Sequence, residues 1–337
     1  LAPLQYGGLD LGNLALTVVL EEINRGCAST GVTLSVHNSL LSSPILHFGS
    51  QEQHARYFPR LASGEALGAY AITEPDHGSD AAAIETTCRR EGDEWVLNGT
   101  KAWITNGSYA EIIVTFATMD PSLRSRGISA FVIEKSMAGF SVGKKEDKLG
   151  IRASSTCELL LDECRVPKAN ILGEPGRGYK VAIETLNEGR IGIGAQMVGL
   201  AQAALDHALA YVQERTQFGQ AIAEFQAVQF ELSELAMQIE AARLLIWRAA
   251  QNADPKTKGG LPSILDSSLA KCFANEMVRG VTGDALQVMG AYGYSKEFPI
   301  EQRLRDGWGW GIAGGAIDIQ KINIASALVG RRFNQRS

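Results

Sequence analysis

Residues 94–107 read EWVLNGTKAWITNG and set the fold class of the middle of the chain. Residues 94–97 form an apolar strand pattern, and the Asn98-Gly99 pair that follows predicts a two-residue type I′ hairpin turn, because both residues tolerate a positive φ. Further apolar runs bounded by turn residues lie at 112–116, 128–133 and 159–161. The sequence therefore predicts a β domain over residues 68–167.

Helical periodicity flanks this region on both sides. Apolar residues recur at helical spacing from about residue 10 to residue 67, and two long apolar stripes follow residue 173. The stripes are Met197, Leu200, Ala204, Ala208 and Tyr211, and then Val228, Leu232, Leu235, Ile239 and Ala242. Two prolines and a Gly-Gly pair predict a helix–helix connection at 252–262.

These periods predict an α+β protein that is mostly α. We expect an N-terminal helical domain over residues 1–67, a middle β-barrel-like domain over 68–167 and a C-terminal four-helix bundle over 168–337. The sequence begins at Leu1 rather than Met. An upstream piece is therefore expected.

Composition and charge exclude several classes of protein. The 337 residues carry a net charge of −5, and no basic run occurs, so a nucleic-acid partner is not expected. No uninterrupted apolar run approaches the roughly 18 residues of a membrane span. The five cysteines are odd in number and lack metal-ligand spacing, which predicts free thiols, a reducing compartment and no metal site.

Short catalytic motifs are scarce. The only GxGxxG pattern, at 309–314 (GWGIAG), does not follow a strand pattern, and the chain has no GxxxxGK[ST] and no HExxH, which disfavours the usual nicotinamide, ATP and zinc-protease enzymes. Taken alone, residues 73–80 (TEPDHGSD) are typical of a surface loop, and Trp103 of a core residue. Residues 215–219 (RTQFG) look like the end of a helix with a glycine cap.

Eight segments together resemble the acyl-CoA dehydrogenase family, closest to its short-chain (butyryl-CoA) and short/branched-chain members. They are EEINRGCASTGVTLSVHNS (21–39), AITEPDHGSD (71–80), VLNGTKAWITNG (96–107), KKEDKLGIRASSTCELLLDECRVP (144–167), ILGEPGRGYK (171–180), LNEGRIGIGAQ (186–196), ERTQFGQAIAEFQ (214–226) and QVMGAYGY (287–294). Against the family pattern, roughly the first two helices of the N-terminal domain are missing.

The resemblance implies FAD as cofactor and a homotetramer in which neighbouring subunits share the FAD sites. The positions that match cofactor contacts within one subunit are Tyr70, Ile72, Thr73, Ser79, Trp103, Ile104 and Thr105. Those that match contacts to the FAD of a neighbouring subunit are Arg215, Phe218, Gln226, Gln287 and Gly290. Ala291 stands where the family has a second glycine, and its methyl group is expected to crowd the adenosine end of FAD.

The resemblance also implies an acyl-CoA substrate and an electron-transfer flavoprotein as electron acceptor. The positions that match substrate contacts are Ser79, Ser154, Asn187, Arg190 and Gly314. For Arg190, an ion pair with Glu184 or Glu188 is the structural alternative. The implied compartment is bacterial cytoplasm or the mitochondrial matrix.

The family's catalytic base is not found at either of its usual positions. Alignment from Arg305-Asp306 through GWGWGIAGGAIDIQ (307–320) puts Gly314 at the position of the family glutamate, and the alternate position is Gly189. Ala313 and Ala316 replace a tyrosine and a threonine. The backbone N–H of Gly314 remains, and in the family it helps to bind the thioester oxygen.

Three explanations of this substitution stay open. The site is repurposed, or a nearby carboxylate (Glu188, Asp306 or Asp318) serves as the base, or residues 307–316 are not genuine. The functions that correspond are a short-chain acyl-CoA dehydrogenase of weakened turnover, a non-catalytic FAD- and acyl-CoA-binding homologue, and a flavin oxidase or dehydrogenase of another carbon acid.

Overall fold

The computed structural model describes residues 1–253 and 261–333. These residues form two compact units. The first unit contains residues 1–12, 33–147 and 153–189, and the second contains residues 13–32, 148–152 and those from 190 onward.

The N-terminal region is helical, as the sequence predicts. Its elements are α1 (Gly12–Gly26), α2 (Ala28–Ser35), a π-helical segment (Val36–Ser42), α3 (Ser43–Phe48) and α4 (Gln51–Ala62). Helix α4 begins with a capping box, in which the Ser50 hydroxyl accepts the N–H of Gln53 and the Gln53 side chain accepts the N–H of Ser50. Apolar residues of α4, among them Tyr57 and Phe58, enter a core that they share with the sheet of the first unit.

The middle region is one eight-stranded sheet. Its strands are β1 (Gly68–Ala71), β2 (Thr87–Glu91), β3 (Glu94–Thr105), β4 (Ile112–Thr118), β5 (Ile128–Glu134), β6 (Phe140–Lys145), β7 (Thr156–Pro167) and β8 (Ile171–Leu172). The strand order is β6-β7-β3-β2-β4-β5-β8, and β1 pairs in parallel with β4. The runs at 112–116, 128–133 and 159–161 lie in strands β4, β5 and β7, so these predictions are confirmed.

The predicted hairpin turn at Asn98-Gly99 is wrong. Strands β2 and β3 pair Glu91 with Glu94, so the two-residue turn is Gly92-Asp93. Asn98-Gly99 instead lies within β3, at an irregularity of its pairing with β7. The Asn98 amide accepts the N–H of Glu163 at 2.8 Å and donates to the carboxylate of Glu163 at 2.8 Å. An Asn-Gly pair suits a β-bulge as well as a turn, since both need an unusual φ.

The C-terminal region is helical again. It contains α5 (Gly178–Glu214), a small hairpin of β9 (Thr216–Gln217) and β10 (Gln220–Ala221), α6 (Gln226–Ala253), α7 (Ile264–Met289), α8 (Ile300–Gly307) and α9 (Ile317–Val329). Met197, Leu200, Ala204 and Ala208 of the first predicted stripe are buried. The predicted connection at 252–262 falls largely on residues 254–260, which lie outside the described residues.

The observed order of helices, strand-rich middle and helices confirms the predicted fold class. The domain boundaries after residues 67 and 167 stay predictions. Of the helices described, none is both long and apolar enough to cross a membrane. All five cysteines are free thiols.

Candidate functional site

The loop after β1 carries residues 73–80 and is fixed by a buried ion pair. Lys101 Nζ lies 2.7 Å from Glu74 Oε1, and the Glu74 carboxylate also accepts the N–H groups of Glu85 at 2.6 Å and Thr86 at 3.0 Å. Burial lowers the pKa of Lys101 to about 8. Burial alone would raise the pKa of Glu74, but Lys101 and the hydrogen-bond donors hold it below its usual value. The loop therefore starts from a rigid charged anchor.

A bulge in β3 turns Trp103 out of the sheet. The register of β3 against β7 shifts between Lys101 and Ile104, and Trp103 adopts a φ of +61°, which is unusual for a bulky residue. Its side chain is 59% exposed, so the alternative that Trp103 is a core residue is wrong. Ile104 is buried and Thr105 is half-buried. Such a locally strained, exposed aromatic residue marks a candidate binding surface.

Backbone hydrogen bonds bring the candidate residues of the first unit together. The N–H of Ala102 donates to the Thr73 carbonyl at 2.9 Å, and the N–H of Asn106 donates to the Ser155 carbonyl at 2.9 Å. Thr73, residues 103–105 and Ser154 therefore lie near one end of strand β3. Ser154 is buried, whereas Ser79 is exposed.

Tyr70 and Ile72, at the end of β1, point into the core of the first unit. The Tyr70 hydroxyl donates to the Ala182 carbonyl at 3.4 Å, and its ring lies 5.2 Å from that of Phe116. These two side chains are therefore structural, and only their backbone groups remain for the predicted cofactor contact. Asn187 is buried in α5.

The two candidate base positions on α5, Glu188 and Gly189, both lie in closely packed surroundings. The Glu188 carboxylate accepts a hydrogen bond from the Ser43 hydroxyl and lies 3.7 Å from the His47 ring. A Cβ added to Gly189 would lie 2.5 Å from Leu40 Cδ2. Glu188 is thus a structural residue, and a side chain at position 189 would require the Leu40 side chain to shift.

The Gly314 segment of the second unit lies between α8 and α9. Gly314 has a φ of +64° and Gly315 a φ of +86°, so both residues are in the left-handed region that favours glycine. A Cβ added to Gly314 would collide with Ile193 Cδ1. A Cβ added to Gly315 would lie 3.4 Å from the Arg190 guanidinium. The structure therefore brings the candidate substrate residues Arg190 and Gly314 together.

A buried lysine holds this segment. Lys271 Nζ donates to the carbonyl of Gly315 at 2.6 Å and to that of Trp310 at 3.0 Å. Burial lowers the pKa of Lys271 to about 7, and the cations Arg190 and Arg279 contribute in the same direction. The side chain has no exposed surface.

The other two carboxylates proposed as a substitute base are Asp306 in α8 and Asp318 in α9. Asp306 is buried and accepts the N–H of Ile151 at 2.5 Å, and burial raises the pKa of Asp306. Asp318 is exposed in the first turn of α9, where a carboxylate complements the helix dipole. These placements favour structural roles for both residues.

The hairpin after α5 is not a helix cap, so that interpretation of residues 215–219 is wrong. Strand β9 pairs with β10, and the turn between them is Phe218-Gly219, with φ values of +53° and +83°. The turn holds the Phe218 ring 94% exposed. The Arg215 guanidinium lies 5.5 Å from the centre of the Tyr292 ring. Among the residues that the structure describes, no carboxylate pairs with Arg215.

Gln226 and Gln287 lie close to this hairpin. Gln226 is the first residue of α6, immediately after the hairpin, and Phe225 packs edge-on against Phe218. Gln287 lines a cavity of about 250 Å³ with Ala227, Val228, Glu231, Asp284 and Val288.

The Gly290 segment joins the same group, because it is followed by Tyr292, on which Arg215 stacks. Gly290 has a φ of +61°, whereas Ala291 is exposed and is not among the residues of positive φ. The methyl group of Ala291 is therefore tolerated by this backbone. Its effect on the cofactor stays a prediction.

The order of helical region, strand-rich middle and helical region is the architecture in which these candidate residues lie. Three family models match the chain. They are the acyl-CoA dehydrogenase N-terminal domain (residues 1–65), middle domain (69–164) and C-terminal domain (176–329). The chain belongs to the acyl-CoA dehydrogenase family.

Relatives with short-chain names are among the most similar proteins. The mitochondrial short-chain specific acyl-CoA dehydrogenase of Homo sapiens is 48% identical over 97% of this chain and 78% of that protein. The structure of butyryl-CoA dehydrogenase from Megasphaera elsdenii has a TM-score of 0.92 at 40% identity, over 94% of this chain and 82% of that one. A structure described under the electron transferring flavoprotein of Acidaminococcus fermentans has a TM-score of 0.94 at 43% identity, over 97% and 85% of the two chains.

Proteins of this family are FAD flavoproteins, and the cofactor of this chain is FAD. The residues present fit that group. The exposed guanidinium of Arg215 suits a phosphate oxyanion, and the exposed rings of Phe218 and Trp103 suit planar heterocycles. The chemistry of the site is that of an oxidoreductase.

The sequence did not reveal the two lysines that organise these segments. Lys101 was hidden in an ordinary strand pattern, and Lys271 in an ordinary helical one. The only available signal was a charged residue within an otherwise buried stripe, as at Ala270-Lys271-Cys272.

Proposed function

We propose that this chain oxidises a short-chain acyl-CoA to the trans-2-enoyl-CoA, with FAD as hydride acceptor. The observation that carries the proposal is the similarity along nearly the whole chain to enzymes named for short-chain acyl-CoA and butyryl-CoA. When bound, FAD supplies the acceptor for the hydride that leaves Cβ. The tasks of the protein are to bind both groups, to polarise the thioester and to remove the Cα proton.

In this proposal the first unit holds the flavin ring. Thr73 and neighbouring N–H groups would hold the pyrimidine edge of the ring, and Trp103, Ile104 and Thr105 would hold the rest of it. The rigid Glu74–Lys101 pair supports the assignment, because donors must be preorganised to stabilise developing charge. Ser79 and Ser154 serve the thioester and pantetheine, and Asn187 binds the CoA chain.

The thioester oxygen is bound by the backbone N–H of Gly314. The resemblance assigns Arg190 to the adenosine end of CoA, but its guanidinium lies beside the Gly314-Gly315 pair, and this position favours a contact near the thioester instead. Hydrogen bonding to the thioester oxygen acidifies the Cα proton, so part of the catalytic effect outlasts the loss of the base.

Proton abstraction is the weak step. Gly314 and Gly189 carry no base, Glu188 is hydrogen-bonded to Ser43, one oxygen of Asp306 accepts the N–H of Ile151, and Asp318 is exposed in the first turn of α9. Loss of a general base typically costs about 10²–10⁴-fold in rate. We therefore expect turnover far below that of a relative that has the glutamate.

A second candidate is a non-catalytic FAD- and acyl-CoA-binding homologue. The position of the Ile193 side chain favours it, because its terminal methyl group occupies the space that a Cβ at position 314 would need. A flavin oxidase or dehydrogenase of another carbon acid is the third candidate. It predicts flavin reduction by a substrate other than butyryl-CoA.

The proposed assembly is a homotetramer in which Arg215, Phe218, Gln226, Gln287 and Gly290 serve the FAD of a neighbouring subunit. Arg215 follows Arg190 by 25 residues at the end of the same helix, a separation of about 37 Å at 1.5 Å per residue. Arg190, assigned to the substrate, and Arg215, assigned to FAD, therefore lie far apart within one chain. An exposed apolar stripe on α6, Phe230, Met237 and Leu244, supports burial against another copy.

The electron acceptor proposed is an electron-transfer flavoprotein, which the relative from Acidaminococcus fermentans supports. The compartment proposed is bacterial cytoplasm or the mitochondrial matrix, and the mitochondrial human relative supports the second.

The test is anaerobic mixing of the yellow holoprotein with butyryl-CoA. Slow bleaching of the flavin supports the dehydrogenase. A spectral shift without bleaching assigns the non-catalytic homologue, and the absence of both FAD and CoA binding contradicts both functions.

A further inference from the structure

The side-chain amine of Lys271, in the second unit, is not accessible to solvent. Lys271 and Ser268, both on α7, are fully buried. In the described part of the chain Lys271 Nζ contacts two backbone carbonyls, at 2.6 Å and 3.0 Å, and forms no ion pair with a carboxylate. Burial of a lysine without a counterion costs stability, and a leucine or methionine of similar volume would avoid that cost. The placement therefore points to a task that needs hydrogen-bond donors.

The two carbonyls enclose the Gly314 peptide. Trp310 precedes it by four residues, and Gly315 follows directly. Gly311, Gly314 and Gly315 lie in this stretch, and glycines lose more conformational freedom on ordering than other residues. The stretch therefore needs external anchors to keep a single conformation.

A second donor holds the same carbonyl. Gln320 Nε2 on α9 donates to the Gly315 oxygen at 2.9 Å, and Gln320 Oε1 accepts the hydroxyl of Ser268 at 3.0 Å. Both side chains are fully buried. Helices α7 and α9 therefore each donate a side-chain hydrogen bond to the carbonyl of Gly315. The Lys271 side chain also donates to the carbonyl of Trp310.

We propose that Lys271 is a positioning residue, which fixes the direction of the Gly314 N–H through the carbonyls of Trp310 and Gly315. The inference rests on the proposed function, in which that N–H donates to the thioester oxygen. Lys271 does not itself touch the substrate, because it is enclosed by protein on all sides. Its effect is geometric, and a misplacement of about 1 Å in such a donor can cost roughly 100-fold in rate.

The direct readout is the carbonyl stretch of a thioester labelled with ¹³C at C1, recorded by difference infrared spectroscopy on the FAD-loaded protein. The probe is a β-blocked butyryl-CoA analogue, which binds without being oxidised. In the unsubstituted protein the band moves to lower frequency on binding. Lys271→Met keeps the length of the side chain without its donors, and we expect it to bind the probe while losing most of that shift. Lys271→Arg, which keeps the donors, recovers part of it.

The matched control is Lys321→Met, which removes an exposed lysine paired with Glu276 and should leave the band unchanged. If Lys271→Met does not fold, Gln320→Leu removes one donor from the same carbonyl and should reduce the shift by about half. A full shift in Lys271→Met, or in Gln320→Leu when only that variant folds, overturns the proposal. A bound probe without a shift in the unsubstituted protein instead contradicts the role of the Gly314 N–H, and absence of binding contradicts the proposed function.

Discussion

Lys101 Nζ lies 2.7 Å from Glu74 Oε1, with both side chains buried in the first unit. The pair joins β3 to the loop that carries Thr73, and the Glu74 carboxylate also receives two backbone N–H groups. Removal of one partner leaves a buried charge without compensation, which typically costs about 3–5 kcal/mol.

We therefore expect Glu74→Gln to lower the free energy of unfolding by about 3–5 kcal/mol, measured by urea denaturation at pH 7. The control is Glu163→Gln, which breaks an exposed pair with Arg89 and should have a much smaller effect. Equal effects of the two substitutions would show that the buried pair is not an anchor.

Stability should rise with pH above neutrality because of Lys271. Its pKa is about 7 in the folded chain, against 10.5 for an ordinary lysine, mainly because it is buried and also because Arg190 and Arg279 face it, with Cys272 opposing them. Between these two values the unfolded chain binds more protons, so the free energy of unfolding increases with pH. Urea midpoints measured from pH 7 to about 8.5 should rise; at higher pH the buried thiols, such as Cys88 and Cys164, oppose the trend because their pKa values are raised. Lys101, whose pKa burial lowers to about 8, contributes in the same direction as Lys271, so Lys271→Met should reduce the slope without abolishing it. An unchanged slope in the variant would contradict the assignment.

Gly314→Glu should restore proton abstraction only in part. The left-handed φ of +64° disfavours any side chain, and Ile193 Cδ1 occupies the space that the new Cβ needs. We expect faster flavin bleaching by butyryl-CoA in Gly314→Glu, and a further increase when Ile193→Ala is added. Stopped-flow absorbance measures both rates.

The controls for this experiment are Gly314→Gln, alone and with Ile193→Ala, which impose the same strain without a carboxylate. They should bleach no faster than the unsubstituted protein. If both glutamate variants also fail to exceed it, the base lies elsewhere or the chain is the non-catalytic homologue.

Arg215 should matter for FAD and not for folding. Its guanidinium is exposed and stacks on Tyr292. Because a hydrogen bond to a charged group is worth about 1.5–3 kcal/mol, Arg215→Met should weaken FAD binding about 10- to 100-fold. Fluorescence titration of the apoprotein with FAD measures this, and thermal denaturation of the apoprotein should be unaltered. Arg248→Met, at another exposed arginine, is the control, and equal FAD affinities for the two variants would remove Arg215 from the cofactor site.

The α6 stripe should control assembly. Met237 and Leu244 are 64% and 55% exposed and lie seven residues apart on one face of the helix. A charge on this face is costly if another copy covers it, so Met237→Glu should shift the mass measured by light scattering toward smaller species. Lys168→Glu, at an exposed position outside α6, is the control. A tetramer that withstands Met237→Glu would assign the interface to another surface.

The local predictions succeeded where one period dominates and failed where two structures share a signature. Strand β4 and helix α5 were evident because their apolar residues repeat at one period. The predictions at Asn98-Gly99 and Phe218-Gly219 were wrong because glycine-containing pairs occur in bulges, turns and helix ends alike. Which of the three forms depends on partner strands that are distant in sequence.

The sequence by itself determined the lineage and the FAD cofactor, because these depend on residue identity along the whole chain, and it predicts that Gly314 stands at the position of the family glutamate. The tertiary structure decided that Glu188 is bound to Ser43 and that Lys271 grips the Gly315 carbonyl. It also decided that Ile193 fills the space beside Gly314. These facts arise from contacts between residues far apart in the chain, and no local pattern encodes which side chain a fold brings next to a glycine.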